Sequence, residues 1–350
     1  MLKRADADYY DVSELNLKTG AYDAFYTMDY LGKDVIVNAF GMYHDNTDSE
    51  AEYLLYGIKR MDQRGFNNQL CTFTSTEDEC EAVSVETGKH NVGAIIGNTL
   101  YYGAGWAKYA ITGLGTGSLE AKATVAKFNP DAGVTGTYGD VTGVVERATD
   151  SFVVDGDDTA DTFLLGLSKN MYLFVQKIDS AGDYGAYTRL HPDVLEFVWE
   201  DGSRTQTAEE HYDHNDDHYK TEETKNTWTA PGWGAAFTFD ADVPRVFFTS
   251  NKGWGAFELK NVVVPAACFQ TERDPTGACD ENDYDDVSNI MCLRRIDAYG
   301  DFATDTNSGN YIWKSQYVCD QGSATLQWVA NSDPTSNNDG MNCPNAFFDL

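Results

Sequence analysis

The segment Glu209-Glu210-His211-Tyr212-Asp213-His214-Asn215-Asp216-Asp217-His218 concentrates the chain's metal-ligating side chains and holds three of its six histidines. His211, His214 and His218 are spaced three and four apart, which on a helix aligns their imidazoles on one face as a Zn²⁺ or Cu²⁺ ligand set. Asp213, Asn215 and Asp217 instead alternate, as the first oxygen ligands of a calcium loop do. Continued in that register, the sixth and twelfth positions fall on His218 and Thr224, where such loops carry Gly and Glu. The competing reading is a solvated polar insertion.

Two further acidic groups offer carboxylates for Ca²⁺. One is Asp155, Asp157, Asp158 and Asp161; the other is Asp280, Glu281, Asp283, Asp285 and Asp286. Solvated turns account for both as well. Gly113-Leu-Gly115-Thr-Gly117 and the glycines from Gly133 to Gly139 have no Walker lysine after them, and read as hairpin turns. The chain has no G-x-S-x-G elbow and no H-E-x-x-H pair, and His44, His90 and His191 have no Ser, Cys or acid at motif spacing. These absences point to a non-enzymatic chain, although triads assemble from distant positions. Trp106, Trp233 and Trp254 are candidates for stacking on sugars, or for core packing.

The seven cysteines are Cys71, Cys80, Cys268, Cys279, Cys292, Cys319 and Cys343. Cys71/Cys80 and Cys268/Cys279 each bracket a polar, turn-rich loop and are expected to form local disulfides. The odd count leaves one cysteine unpaired or free to join two chains. Disulfides place the chain outside the cytosol, at a cell surface or beyond it.

The formal net charge is −31, from 56 acidic and 25 basic residues. A field of that sign repels phosphate backbones and anionic lipids, so nucleic acid is excluded as a partner. No apolar run is long enough to span a bilayer as a helix, and membrane insertion is not expected. The start, Met-Leu-Lys-Arg-Ala-Asp-Ala-Asp, lacks an apolar signal core. No N-x-S/T sequon occurs.

These groups must be positioned by strands. Aromatics make up 13% of the chain and glycines number 31, a composition suited to short strands and tight turns. One unit recurs: an alternating apolar strand, a hydrophobic residue followed by Asp or Asn, a polar turn with Gly, and an aromatic. Its clearest copies are Asp11–Tyr22, Tyr56–Phe66, Phe174–Tyr184 and Cys292–Phe302. Weaker ones are Tyr109–Gly117 and Ala256–Asn261. The anchors are Leu15, Met61, Leu114, Ile178, Leu259 and Ile296, with the widest gap between Ile178 and Leu259, where the polar stretch near residues 200–230 reads as an insertion. Ser49–Met61 also fits an amphipathic helix, but Gly57 and the match to the other copies favour a strand.

The expected fold is all-β: residues 1–350 as a single β-propeller of six, or with a hidden copy in 310–350 seven, blades. The N-terminal strands and a C-terminal stretch ending in Asn345–Leu350 would close it. The alternative is a tandem β-sandwich.

The repeated "Ile-Asp", Gly turn and aromatic return resemble blades of extracellular β-propellers. They look most like the propeller domains of algal flagellar-hair (mastigoneme) proteins, over most of residues 9–305. That resemblance implies a non-enzymatic extracellular subunit that self-assembles into a filament or surface coat, itself being the partner. No cofactor is required, and calcium is the candidate ion. A carbohydrate-binding propeller with glycans as partner, and a metal-dependent propeller hydrolase, are the alternatives.

Overall fold

The computed structural model describes residues 2–6, 9–31, 35–45, 53–61, 67–87, 90, 92–104, 107–122, 138–145, 152–154, 162–168, 173–190, 194–205, 233–239, 245–250, 253–265, 293–296, 312–315, 322–332 and 338–339. They form strands and turns, with no α-helix among them.

The first sheet contains β1 (Leu2–Asp6), β2 (Tyr9–Leu15) and β3 (Tyr22–Met28). The second is a meander of β4 (Ile36–Tyr43), β5 (Leu54–Arg60), β6 (Asn68–Phe73) and β7 (Asp78–Cys80). The third follows the same course with β8 (Val92–Ile96), β9 (Thr99–Ala104), β10 (Ala107–Thr112) and β11 (Glu120–Lys122). In the fourth, β12 (Tyr138–Val145) pairs β14 (Thr162–Ser168), followed by β15 (Leu173–Ile178) and β16 (Tyr184–Leu190). The intervening β13 (Phe152–Val154) leaves this sheet.

The large sheet has seven strands. Its meander is β19 (Trp233–Phe239), β20 (Arg245–Ser250) and β21 (Ala256–Val264), with β24 (Ser323–Ala330) beside β21. The strands β17 (Leu195–Val198) and β18 (Arg204–Thr205) extend it, β17 running parallel to β24. β13 pairs in parallel with the far end of β21, Phe152 opposite Val262. There β21 bulges, and Asn261 takes φ 52°. A further two-stranded sheet pairs β22 (Leu293–Ile296) with β23 (Ile312–Ser315). Finally β25 (Asn338–Asp339) joins the outer edge of β1, completing the first sheet as β25-β1-β2-β3.

Each of the five sheets other than the two-stranded one packs on two neighbours. Tyr10, Val12 and Met28 of the first meet Val37, Phe40 and Leu55 of the second. Tyr43, Tyr56 and Leu70 of the second meet Ile95, Leu100 and Ile111 of the third. Ala94, Tyr101 and Ala110 then meet Leu164 and Ile178 of the fourth. Phe163, Leu165 and Val175 of the fourth meet Trp233, Val246 and Phe257 of the large sheet. Phe237, Phe247 and Ala256 of the large sheet return to Leu15 and Leu17 of the first. The leading strands face one another in turn: β4 with β8, β8 with β12, β12 with β19, and β25 lying beside both β19 and β4. Approach is closest where a side chain is missing. A Cβ on Gly93 of β8 would overlap the Ala39 backbone of β4.

This circular packing is that of a β-propeller, whereas a sheet in a β-sandwich packs on one partner. Four blades are found, which corrects the expectation of six or seven. The reason lies in the anchors. Leu15, Leu114 and Ile178 do precede the hairpin between a sheet's third and fourth strands. Met61 follows β5, one hairpin earlier, Leu259 lies inside β21, and Ile296 ends a strand of the two-stranded piece. The Ser49–Met61 segment contains strand β5, as Gly57 suggested. The chain ends do meet in one sheet, but through Asn338 and Asp339. The expected closing stretch, Asn345–Leu350, lies outside the described residues.

Candidate functional site

The proposed metal ligands all fall outside the described residues: His211, Asp213, His214, Asn215, Asp217 and His218, with Asp155, Asp157, Asp158 and Asp161, and Asp280 to Asp286. So do Cys268, Cys279, Cys292, Cys319 and Cys343. Cys71 and Cys80 form the expected disulfide. Their residues stand directly opposite each other on β6 and β7, with Cα atoms 4.0 Å apart. The Asp78 carboxylate is 3.3 Å from the Cys80 sulfur and 2.6 Å from Lys59 Nζ. Cys71, Asp78 and Cys80 are the one trio of His, Cys, Asp or Glu close enough to share a metal ion among the described residues. With the sulfurs bonded to each other, neither is a thiolate, so the trio is a crosslink with an ion pair beside it.

A narrow polar crevice opens between the second and third sheets. Asn38 on β4, Arg60 on β5 and Asn68 on β6 line it with Ile36, Ile58 and His90, with no room between them for a water molecule. The crevice therefore does not hold a small molecule. His90 sits just ahead of β8 and is buried. Its Nε2–H donates to the Glu86 carbonyl at 2.8 Å, and that oxygen also accepts from Asn68 Nδ2 at 2.8 Å. The imidazole meets the rings of Tyr102 and Tyr109 edge-on, with centroids 4.9 and 5.4 Å away. Nδ1 is buried and has no hydrogen-bond partner among the described residues. Burial lowers the His90 pKa, and the Arg60 charge adds to that, against the Glu86 carbonyl and carboxylate. Tyr102 is pushed up, chiefly by burial. These contacts tie Glu86 and His90 to both sheets. Sequence reading gave His90 no partner because Glu86 meets it through its backbone carbonyl and the two tyrosines come from other strands.

Two other polar clusters escaped sequence reading because each draws in residues from neighbouring strands. Glu258 on β21 is buried, and Arg245 on β20 grips it through Nε–Oε1 at 2.6 Å and Nη2–Oε2 at 2.7 Å. Lys260 Nζ lies 3.0 Å from Glu258 Oε2 and donates to Gln327 Oε1 of β24 at 3.1 Å. Burial raises the Glu258 pKa most, but the hydrogen bonds and charges of Arg245 and Lys260 together bring it below its usual value. The second cluster joins the third and fourth sheets. Lys122 of β11 pairs with Asp183 at 3.0 Å and donates to the Ala181 carbonyl, while the Tyr101 hydroxyl donates to the Gly182 carbonyl at 2.9 Å. The turn they grip needs Gly182, whose φ is 76°.

Of the candidate sugar-stacking residues, Trp233 is fully buried and Trp254 packs against the same core. Trp106 lies outside the described residues. No family model and no curated protein matches this chain.

Proposed function

We propose that this chain is a non-enzymatic, extracellular structural protein, of the kind its resemblance to mastigoneme-type propellers implies, that assembles with copies of itself into a filament or coat. In this reading the large sheet serves as a further blade between the fourth sheet and the first. The observation that carries the proposal is how the buried charged and polar groups are used. Glu258 with Arg245 and Lys260 ties three strands of one sheet, Tyr101 and Lys122 fasten the third sheet to the fourth, and His90 with Asn68 fastens the second to the third. Such groups rigidify a scaffold.

The disulfide supports an oxidising location, and an odd cysteine supports a bond between chains. At a net charge of −31, neighbouring copies repel unless cations lie between them, so Ca²⁺ held by the acidic loops is part of the proposal. Size-exclusion chromatography with and without a chelator and a reductant tests it. Assemblies that shrink on either treatment are expected. A monomer under every condition would contradict it.

A further inference from the structure

The β6–β7 hairpin brings three metal-ligating side chains to one place. Cys71 and Cys80 stand directly opposite each other with Cα atoms 4.0 Å apart. Asp78 lies two residues before Cys80, so both project from the same face of β7. One ligand atom from each of the three lies within 4.8 Å of the others. Two donors on a single Zn²⁺ are at most about 4.6 Å apart, so small side-chain rotations bring all three onto one ion. Lys59 reaches the Asp78 carboxylate from β5, the two side chains being 15% and 14% exposed.

Closed as a disulfide, the sulfurs do not ligate. Reduced, they supply the soft donors that select Zn²⁺ over the hard cations that carboxylates hold. The charges then balance. Zn²⁺ and the Lys59 ammonium cancel two thiolates and the Asp78 carboxylate, as a site this buried requires.

We propose that the reduced hairpin is a Zn²⁺ site and that the metal and the crosslink exclude each other. The ligands are Cys71 Sγ, Cys80 Sγ and an Asp78 carboxylate oxygen, with water in the fourth position. β7 is the last strand of its sheet and Cys80 is partly exposed, whereas Cys71 is buried. A dithiol therefore attacks the Cys80 sulfur, and Cys71 leaves as the bond between them breaks. The dithiol's second sulfur then displaces Cys80. Two electrons and two protons pass to the hairpin, and the dithiol leaves as a disulfide. Zn²⁺ binds with release of the two thiol protons. Oxidation by a small-molecule disulfide, which leaves as two thiols, re-forms the crosslink and frees the ion.

The inference stands apart from the self-assembly reading. A monomer can carry this site, and an assembly can lack it.

Differential labelling tests it on the full-length protein. The folded chain is reduced with a phosphine, which takes oxygen from water and leaves as its oxide. It is alkylated with a light-isotope reagent, with or without Zn²⁺. A chelator then removes the metal, and a heavy reagent labels the thiols it covered. Peptides carrying Cys71 and Cys80 are expected to turn from light to heavy when Zn²⁺ is present. Equal light labelling with and without Zn²⁺ would overturn the proposal, as would a Cys71–Cys80 bond that stays closed in excess phosphine.

Asp78→Asn keeps both sulfurs and should need about tenfold more Zn²⁺, or beyond, for the same protection. Undiminished protection would refute the three-ligand site. Should that variant not fold, the parent still decides the question through a second measurement. Zinc-loaded parent treated with a small-molecule disulfide should release the ion, read with a metal-indicator dye, as the Cys71–Cys80 bond re-forms. A re-formed bond with no zinc released would contradict the proposal.

Discussion

The Tyr101 hydroxyl donates to the carbonyl of Gly182, 81 residues away, and so fastens the third sheet to the hairpin of the fourth. Burial, and then the charges of Asp179 and Asp183, push its pKa up to about 12. Tyr101→Phe should cost about 1 kcal/mol in denaturant unfolding, the net worth of one hydrogen bond. The pH dependence has a defined sign. With the folded pKa raised above the ordinary 10.0, the stabilisation is complete below that value and is lost as pH climbs through about 12. Unfolding curves across that range should fall less steeply for Tyr101→Phe than for the parent.

His90 governs the acid side. Its folded pKa lies below the ordinary 6.5, so its contribution is complete above that pH and is lost as pH falls through the folded value. His90→Gln keeps a donor for the Glu86 carbonyl and removes the titration. It should flatten the stability profile below about 6.5, as read from melting temperatures in a pH series. An unchanged profile would mean that His90 does not titrate against folding.

Glu258 is buried beneath two cations. Glu258→Ala leaves Arg245 and Lys260 without their shared carboxylate and should destabilise the fold by about 3 kcal/mol, the lower end for breaking a buried pair because both cations are partly exposed. Because the Glu258 pKa is depressed, the parent should lose this contribution as pH drops below the ordinary 4.5, and the variant should show a smaller acid loss. Denaturant titrations of the two proteins at neutral and acid pH measure both effects.

The Cys71–Cys80 bond closes a loop with a sequence separation of 9. Loop-closure entropy values such a link at about 2–3 kcal/mol. The paired change Cys71→Ala with Cys80→Ala should lower the melting temperature accordingly, and a reductant should then cause no further loss from this hairpin.

What the sequence disclosed was local. Strand alternation with Asn16 or Asp179 and a nearby glycine located the hairpins after Leu15 and Ile178, where the Asn16 and Asp179 side chains accept backbone N–H bonds within the turn. The Cys71/Cys80 link was legible because its partners bracket one turn. Sheet membership was not. The parallel pairings of β17 with β24 and of β13 with β21 join segments more than one hundred residues apart and leave no turn signature. A repeat count therefore read the two-stranded piece around Ile296 as a blade. The groups around His90 and Glu258 were hidden because Asn68, Tyr102, Arg245 and Gln327 reach them from other strands, and because Glu86 meets His90 through its backbone carbonyl.

Self-assembly is the claim on which the functional account depends. Light scattering over a concentration series, in calcium and under oxidising conditions, tests it most directly. The account predicts a mass that grows with concentration in multiples of 38.8 kDa and falls back when calcium is chelated or disulfides are reduced. A constant 38.8 kDa at every concentration would contradict it.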